Sequence, residues 1–203
     1  MRAVVIALGL IFLMVSISFA GPNADAKVIV HVLPHTSRSC TKNFPTISGC
    51  QEIITSTDEV SVDFFPVFFD IAASETDSIG YQGLEYGVMW EGSSCTFTSC
   101  SDFTIGGIYY PGDGISHAWS HCQPYSVAIP GFGWVFSYDR ICIIPHPEMG
   151  GPNIGDCQVP DPIIDSLPPE NIGCAGTNGV QGDDPCGLSV RPTTWGEIKG
   201  MFR

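Results

Sequence analysis

Residues 83–90 read Gly-Leu-Glu-Tyr-Gly-Val-Met-Trp, and every second position from Leu84 to Trp90 is large and apolar. Side chains alternate between the two faces of a β-strand, so this pattern predicts a strand with one buried face. Residues 59–72, EVSVDFFPVFFDIA, give the strongest strand signal in the chain. Pro66 lacks a backbone donor, so we expect this strand to be at an edge, bulged or split there.

Shorter apolar runs separated by glycine, proline and aspartate continue along the chain. They occupy residues 27–33, 103–110, 125–129 and 133–144. Residues 21–190 contain no stretch with sustained helical periodicity. Many short strands with frequent turn signals predict an all-β fold, a disulfide-stapled antiparallel β-sandwich over residues 21–190.

The charge balance is strongly acidic. The 203 residues include 8 Lys and Arg against 21 Asp and Glu, a formal net charge of −13, and no Lys or Arg lies between Lys42 and Arg140. Nucleic-acid binding depends on cations that replace counterions, so this composition excludes nucleic acid as a partner. The simplest interpretation is a surface kept soluble by self-repulsion, with adaptation to saline surroundings or cation binding as alternatives.

The first twenty residues have the features of a signal peptide. Arg2 precedes an apolar run over residues 3–19, and Ser18-Phe19-Ala20 has the small-x-small form of a cleavage site. An uncleaved membrane anchor is the alternative, since the run approaches spanning length. The small residues at the site and the lack of a following basic cluster favour cleavage after Ala20. We therefore expect a secreted or cell-surface protein with no membrane span after cleavage.

The last segment, residues 191–203, is a basic C-terminal tail with three of the eight Lys and Arg residues. Thr194-x-x-Glu197 forms a capping box, and Trp195, Ile198 and Phe202 share one face of the expected short helix. The tail is expected either to dock on the domain or to act as a recognition tag.

Nine cysteines in an exported chain indicate disulfides, with at least one cysteine left over. Cys40 and Cys50 flank a proline-containing loop and have no nearer partners, so we expect them to pair. The sequence has no C-x-x-C pair, and a thioredoxin-like or zinc-ribbon site therefore has no support.

The chain contains, in order, the segments Phe68-Phe69-Asp70, residues 83–87, Cys100-Ser-Asp-Phe103, Trp119, Cys122-Gln123, Asp156-Cys157, Asp184-Pro185-Cys186-Gly187 and residues 192–203, which begin Pro-Thr-Thr-Trp-Gly-Glu-Ile-Lys. With these segments, residues 60–190 and the C-terminal tail resemble a group of uncharacterised secreted bacterial proteins with a cohesin-like or immunoglobulin-like sandwich. The resemblance implies a β-sandwich and no particular activity.

The same resemblance implies two further disulfides, Cys100–Cys122 and Cys157–Cys186. It does not account for Cys95, Cys142 and Cys174, and their pairing stays open.

One motif competes with the disulfide interpretation. Cys142-x3-His146-x2-Met149 is similar to the ligand loop of small cupredoxins, in which a thiolate, an imidazole and a thioether bind copper. The second histidine of such a site could be His117 or His121. The long chain after Met149 and the missing upstream His-Asn pair weigh against copper.

Other candidate sites are weaker. His117 and His121 are about 13 Å apart on a strand, which is too far for one metal ion. Asp113, Asp183 and Asp184 lie in glycine-rich turns and could offer oxygens to Ca²⁺, although such turns need no ion. We therefore predict no cofactor.

Enzyme motifs are lacking, and Glu85 and Glu91 are interpreted as surface acids rather than a glycosidase pair. The sequence predicts a non-catalytic extracellular module that binds a protein or glycan, or has a structural role. Its exposed contacts could include Tyr109, Tyr110, Trp119 and Trp134. A cupredoxin-like electron carrier is the alternative function.

Overall fold

A computed structural model describes residues 21–69, 80–93, 95–123, 127–158 and 161–186. These residues form an antiparallel β-fold with four disulfides and two short 3₁₀ helices, as the sequence predicts. None of them forms a helix long and apolar enough to cross a membrane. The expected signal peptide and the basic tail lie outside the described residues.

The strands fall into two groups that share one long strand, β8, Gly131–Ile144. The first group pairs with the start of β8 or with its partner β2, and consists of β1 (Lys27–Pro34), β2 (Ser61–Phe69), β4 (Thr96–Ser99) and β7 (Val127–Ala128). The second group extends from the end of β8, and consists of β3 (Tyr81–Gly92), β5 (Phe103–Gly106), β6 (Gly114–Gln123), β9 (Asn153–Asp156), β10 (Ile164–Ser166) and β11 (Cys174–Gly176).

The first and second groups form two layers, the first layer and the second layer, and the main core lies between them. The predicted apolar face of β3 supplies four buried side chains, those of Leu84, Tyr86, Val88 and Trp90. Rings from the opposite layer pack against them. The ring centroids of Phe68 and Tyr86 are 5.4 Å apart, and those of Phe64 and Trp90 are 6.4 Å apart. The alternation in the sequence is thus confirmed as an inward-facing row.

Strand β2 is buried on both faces, which explains why its residues from Phe64 to Phe69 are continuously apolar rather than alternating. Its outward residues Phe65, Val67 and Phe69 form a second cluster, covered by side chains that include Phe44. Pro66 pairs with β1 on one side. On the other side the partner is β8 up to Phe64 and β7 from Phe68, so the ladder is split around the proline as predicted.

The disulfides differ from the expected pairs. The structure bonds Cys40 to Cys100, Cys50 to Cys186, Cys122 to Cys157 and Cys142 to Cys174. The predictions Cys40–Cys50, Cys100–Cys122 and Cys157–Cys186 are therefore wrong, although all six residues are disulfide-bonded. Three of the four bonds span 32 to 60 residues and the fourth spans 136, because strand order rather than spacing decides which cysteines meet.

Cys95 is the cysteine left unpaired. Its thiol is buried and donates a hydrogen bond to the Ile108 carbonyl at 2.7 Å. Burial, together with the nearby Asp113 carboxylate, raises the pKa of the thiol to about 12. Since the thiolate is the reactive form of cysteine, Cys95 is held in an inert state.

Candidate functional site

A groove of about 400 Å³ lies on the outer face of the second layer, across five adjacent strands. Strand pairing sets its residues in two parallel rows. The first row runs Phe103, Ala118, Gly83, Gly155, Ile164, and the second runs Ile105, Ser116, Glu85, Asn153, Ser166. Strands are about 4.8 Å apart, so each row is about 19 Å long.

The floor of the groove consists of small residues. Gly83 and Gly155 face each other on β3 and β9, and Ala118 continues the floor on β6. A methyl group built on either glycine would come no closer than 3.8 Å to its neighbours, and neither residue has a positive φ. Neither packing nor backbone conformation therefore requires glycine at these two positions. The absence of side chains there leaves the floor of the groove open.

Exposed apolar side chains form the walls. Phe103 and Ile105 stand on β5 at one side, with 59% and 60% of their surface exposed, and Ile164 stands on β10 at the other side with 64% exposed. A ligand in the groove would therefore contact apolar side chains at both sides. Below it would lie the exposed peptide groups of the floor.

A hydrogen-bonded series crosses the second row. The Ser166 hydroxyl donates to Asn153 Oδ1 at 2.6 Å, and Asn153 Nδ2 donates to Glu85 Oε2 at 3.1 Å. This order fixes the Asn153 amide and aims its NH2 group at Glu85. The groove thus holds a carboxylate and an amide in set orientations, next to the Ser116 hydroxyl.

Asp156 lies at the end of the groove, where the Cys122–Cys157 disulfide joins β6 to the residue that follows β9. Its Oδ1 accepts hydrogen bonds from the main-chain N–H groups of Gln158 and Ile163 at 3.1 and 2.8 Å. Its Oδ2 is buried and has no partner among the described residues. A buried carboxylate oxygen without a donor is unfavourable, and Asp156 is only 1% exposed, so a ligand in the groove would not reach this atom without a local rearrangement.

A polar network supports the floor from below. His117 is buried on the inner side of β6, with Nε2 3.0 Å from Tyr86 Oη and Nδ1 2.9 Å from Ser101 Oγ. Burial lowers the pKa of His117 to about 4 and raises that of Tyr86 well above its usual value. Both side chains are therefore neutral at physiological pH, and their role is to hold the layer beneath Gly83 in place.

The aromatic contacts predicted from the sequence do not form one surface. Trp119 lines the groove and packs edge-on against Tyr81 at 5.7 Å, whereas Trp134 is half-buried on the other layer and stacks on His35 at 4.4 Å. Tyr109 and Tyr110 are exposed in the β5–β6 loop. Their main-chain N–H groups donate to the Asp113 carboxylate at 2.9 and 2.8 Å.

The cupredoxin-like loop has a different role. Cys142 on β8 is bonded to Cys174 on β11, so its sulfur is not a thiolate ligand. The His146 ring nitrogen accepts hydrogen bonds from the main chain of Glu148 and Met149, both at 3.2 Å, which marks a turn. The copper hypothesis loses its thiolate, and no group of three metal-ligating side chains occurs in the described parts of the chain.

The histidines and acids considered for metals are engaged locally. His117 is buried and His121 exposed. Asp113 accepts the main-chain N–H groups of Tyr109 and Tyr110 within the β5–β6 loop. Asp183 pairs with Arg140 at 2.6 Å, and Asp184 accepts the Cys186 N–H at 2.8 Å.

Sequence patterns alone do not indicate the groove or its residues Phe103, Gly155, Asn153 and Ile164. The only signal available was weak. Gly83 and Gly87 sit on the exposed face of the predicted strand, where bulkier polar residues are usual. Which residues oppose Gly83 depends on strand order, which periodicity does not reveal.

The comparisons with known proteins cover family models, curated proteins and solved structures. None of the three comparisons gives a match to this chain.

Proposed function

We propose that this protein is a secreted, non-catalytic binding module whose groove binds an uncharged glycan. The single observation that carries the proposal is the pairing of Gly83 with Gly155, which leaves an open floor beside the exposed ring of Phe103. Sugar rings have flat apolar faces that pack against aromatic side chains and bare main chain, while their hydroxyl groups need hydrogen-bonding partners.

The polar groups of the groove suit hydroxyl groups. Glu85 accepts hydrogen bonds, and Ser116 both donates and accepts. The Ser166–Asn153–Glu85 series orients the carboxylate before a ligand arrives, which lowers the entropic cost of binding.

The charge of the groove selects against anions. Its charged lining residues, Glu85 and Asp156, are both acidic. Sulfated glycans, uronic acids and phosphates would be repelled, so we expect an uncharged glycan rather than an acidic one.

Binding fits the groove better than glycoside hydrolysis does. Of the two carboxylates that line the groove, Glu85 and Asp156, the second is only 1% exposed, so only Glu85 is open to a substrate. Glu91, the partner considered from the sequence, is six residues from Glu85 on β3, which corresponds to about 20 Å along a strand. Glycosidase carboxyl pairs are at most about 9.5 Å apart.

Four disulfides and the predicted signal peptide support secretion, because disulfides form in oxidising compartments.

The test is an array of uncharged glucans, xylans, mannans and galactans, with sulfated and uronic-acid glycans as charged counterparts. The strongest hit is then titrated by calorimetry against Phe103→Ala and Tyr138→Ala. Tyr138 is the matched control, since it is exposed to the same 59% and does not line the groove. Loss of one aromatic contact worth about 1.4 kcal/mol lowers affinity about tenfold.

We expect Phe103→Ala to weaken binding about tenfold and Tyr138→Ala to leave it unchanged. The proposal is refuted by an absence of binding to every uncharged glycan, by a preference for sulfated glycans, or by equal effects of the two substitutions. Capture of a protein ligand by the groove in place of a glycan would refute it as well.

A further inference from the structure

Gly21 lies against the carboxylate of Asp165, in the middle of β10. A Cβ built on Gly21 would overlap both carboxylate oxygens, so the main chain at Gly21 touches this group. Asp165 is only 6% exposed, and none of the ion pairs among the described residues includes it. A buried carboxylate without a positive partner is costly, so this site calls for a cation.

A turn holds Gly21 in this position. The Ala24 N–H donates to the Gly21 carbonyl at 3.2 Å and closes a β-turn with Pro22 at its second position, which proline favours. Asn23 is fully buried in the turn. Its main-chain N–H donates to Asp165 Oδ2 at 2.8 Å, and its Nδ2 contacts the Gly80 carbonyl at 3.5 Å. Gly21 is therefore anchored to the core rather than loosely attached.

The predicted cleavage site lies directly before this residue. Hydrolysis of the Ala20–Gly21 peptide bond by a signal peptidase consumes one water molecule. It leaves a carboxylate on Ala20 and the amine on Gly21, which takes up a proton at neutral pH. The neutral amide nitrogen of the precursor thus becomes an ammonium group beside Asp165.

We propose that removal of the leader creates an ion pair between the Gly21 ammonium and Asp165, so that export processing completes the folded domain. The overlap predicted for a Cβ explains why this position suits glycine, whose main chain approaches the carboxylate closely. The inference shares with the proposed function only the cleavage after Ala20 and is independent of glycan binding.

The experiment compares two forms of the mature chain, one with a free Gly21 amine and one acetylated on that amine. Mass spectrometry of the exported protein is expected to find Gly21 as the first residue. Acetylation is expected to lower the thermal midpoint by about 6–20 °C, the range for breaking a buried ion pair in a protein of this size.

In Asp165→Asn, the free and acetylated forms are expected to melt at the same temperature. Asp161→Asn is the matched control, because Asp161 is an exposed acid four residues earlier, and the difference is expected to persist there. An exported chain that begins at another residue overturns the proposal. So does acetylation that leaves the midpoint unchanged or lowers it equally in Asp165→Asn.

Titration of a ¹⁵N-labelled Gly21 amine provides a second measurement, which needs no variant to fold. Pairing with Asp165 is expected to raise the pKa of this amine above the ordinary range of a chain terminus. A pKa within that range contradicts the ion pair. Failure of this ion pair would leave the glycan proposal untouched, since that proposal is tested by the effect of Phe103→Ala on glycan affinity.

Discussion

Gly83 on β3 and Gly155 on β9 are directly opposite each other, and neither carries a side chain over the sheet. Each leaves room for a methyl group, with the nearest atom 3.8 Å away. The open floor therefore results from the choice of residue at two positions and not from any demand of the backbone.

The first prediction concerns these glycines. Gly83→Ala combined with Gly155→Ala is expected to leave stability unchanged or to raise it by up to about 1 kcal/mol, since alanine reduces the freedom of the unfolded chain. The same pair of methyl groups is expected to lower glycan affinity about tenfold, an effect of about 1.4 kcal/mol. Urea unfolding and calorimetric titration measure the two quantities.

Gly92→Ala is the contrasting control for the glycine variants. Gly92 has a φ of 152°, and a Cβ there would overlap the Phe136 carbonyl oxygen. This substitution is expected to destabilise the protein by about 3 kcal/mol. Equal destabilisation by both sets of variants would contradict our account of the floor.

A second prediction concerns the buried carboxylate of Asp63 on the first layer. It accepts from Arg38 Nε at 2.5 Å and lies 2.7 Å from His35 Nδ1. Asp63→Asn is expected to cost about 3–5 kcal/mol, because it leaves the largely buried Arg38 without its counterion. Asp183→Asn, at the exposed pair with Arg140, is expected to cost less than about 1 kcal/mol. Denaturant unfolding that ranks the two the other way would refute this assignment.

A third prediction follows from the buried histidines. Burial, aided by Arg38 at His31, lowers the pKa values of His31 and His117 to about 4. In the unfolded chain both bind protons near pH 6.5, so the unfolded state takes up more protons between pH 6.5 and 4. Stability is therefore expected to be highest above pH 6.5 and to fall towards pH 4, by up to about 3 kcal/mol for each histidine.

Urea unfolding at pH 7 and pH 4.5 measures this loss. His117→Gln is expected to reduce the pH dependence by about half, whereas the same change at exposed His121 leaves it intact. A slope in the opposite direction, or one that His117→Gln does not alter, would rule out these histidines as its source.

A fourth prediction concerns the Cys142–Cys174 bond, which joins directly opposed residues of β8 and β11. Replacing both cysteines by alanine is expected to cost about 3 kcal/mol, the typical contribution of a bond that closes a loop of this length. Added Cu²⁺ is expected to give the native protein no thiolate-to-copper absorption band. Such a band, lost in Cys142→Ser, would restore the copper hypothesis.

The inward row from Leu84 to Trp90 could be predicted from sequence because burial of one strand face depends only on local periodicity. The interruption of the β2 ladder at Pro66 could be predicted as well, because proline lacks a backbone N–H wherever it occurs in a strand. Both features are properties of a single strand, and neither requires knowledge of its neighbours.

The disulfides and the groove depend on which strands are adjacent. Cys50 meets Cys186 across 136 residues of sequence, and Gly83 meets Gly155 only because β9 returns beside β3. Nearest-neighbour spacing therefore misled the pairing of Cys40 with Cys50. Neither long-range contact leaves a periodic signal in the chain.

Strand β8 hydrogen-bonds to the first layer through residues 131–136 and to the second through residues 137–144. Neither layer can lose this strand without breaking the ladder of the other, so opening should be all-or-none rather than layer by layer. Its central amides should accordingly exchange with solvent deuterium only through global unfolding. During folding, the β8 ladder of the first layer also requires the chain up to residue 136 and that of the second layer requires it up to residue 144, so both layers depend on distant contacts.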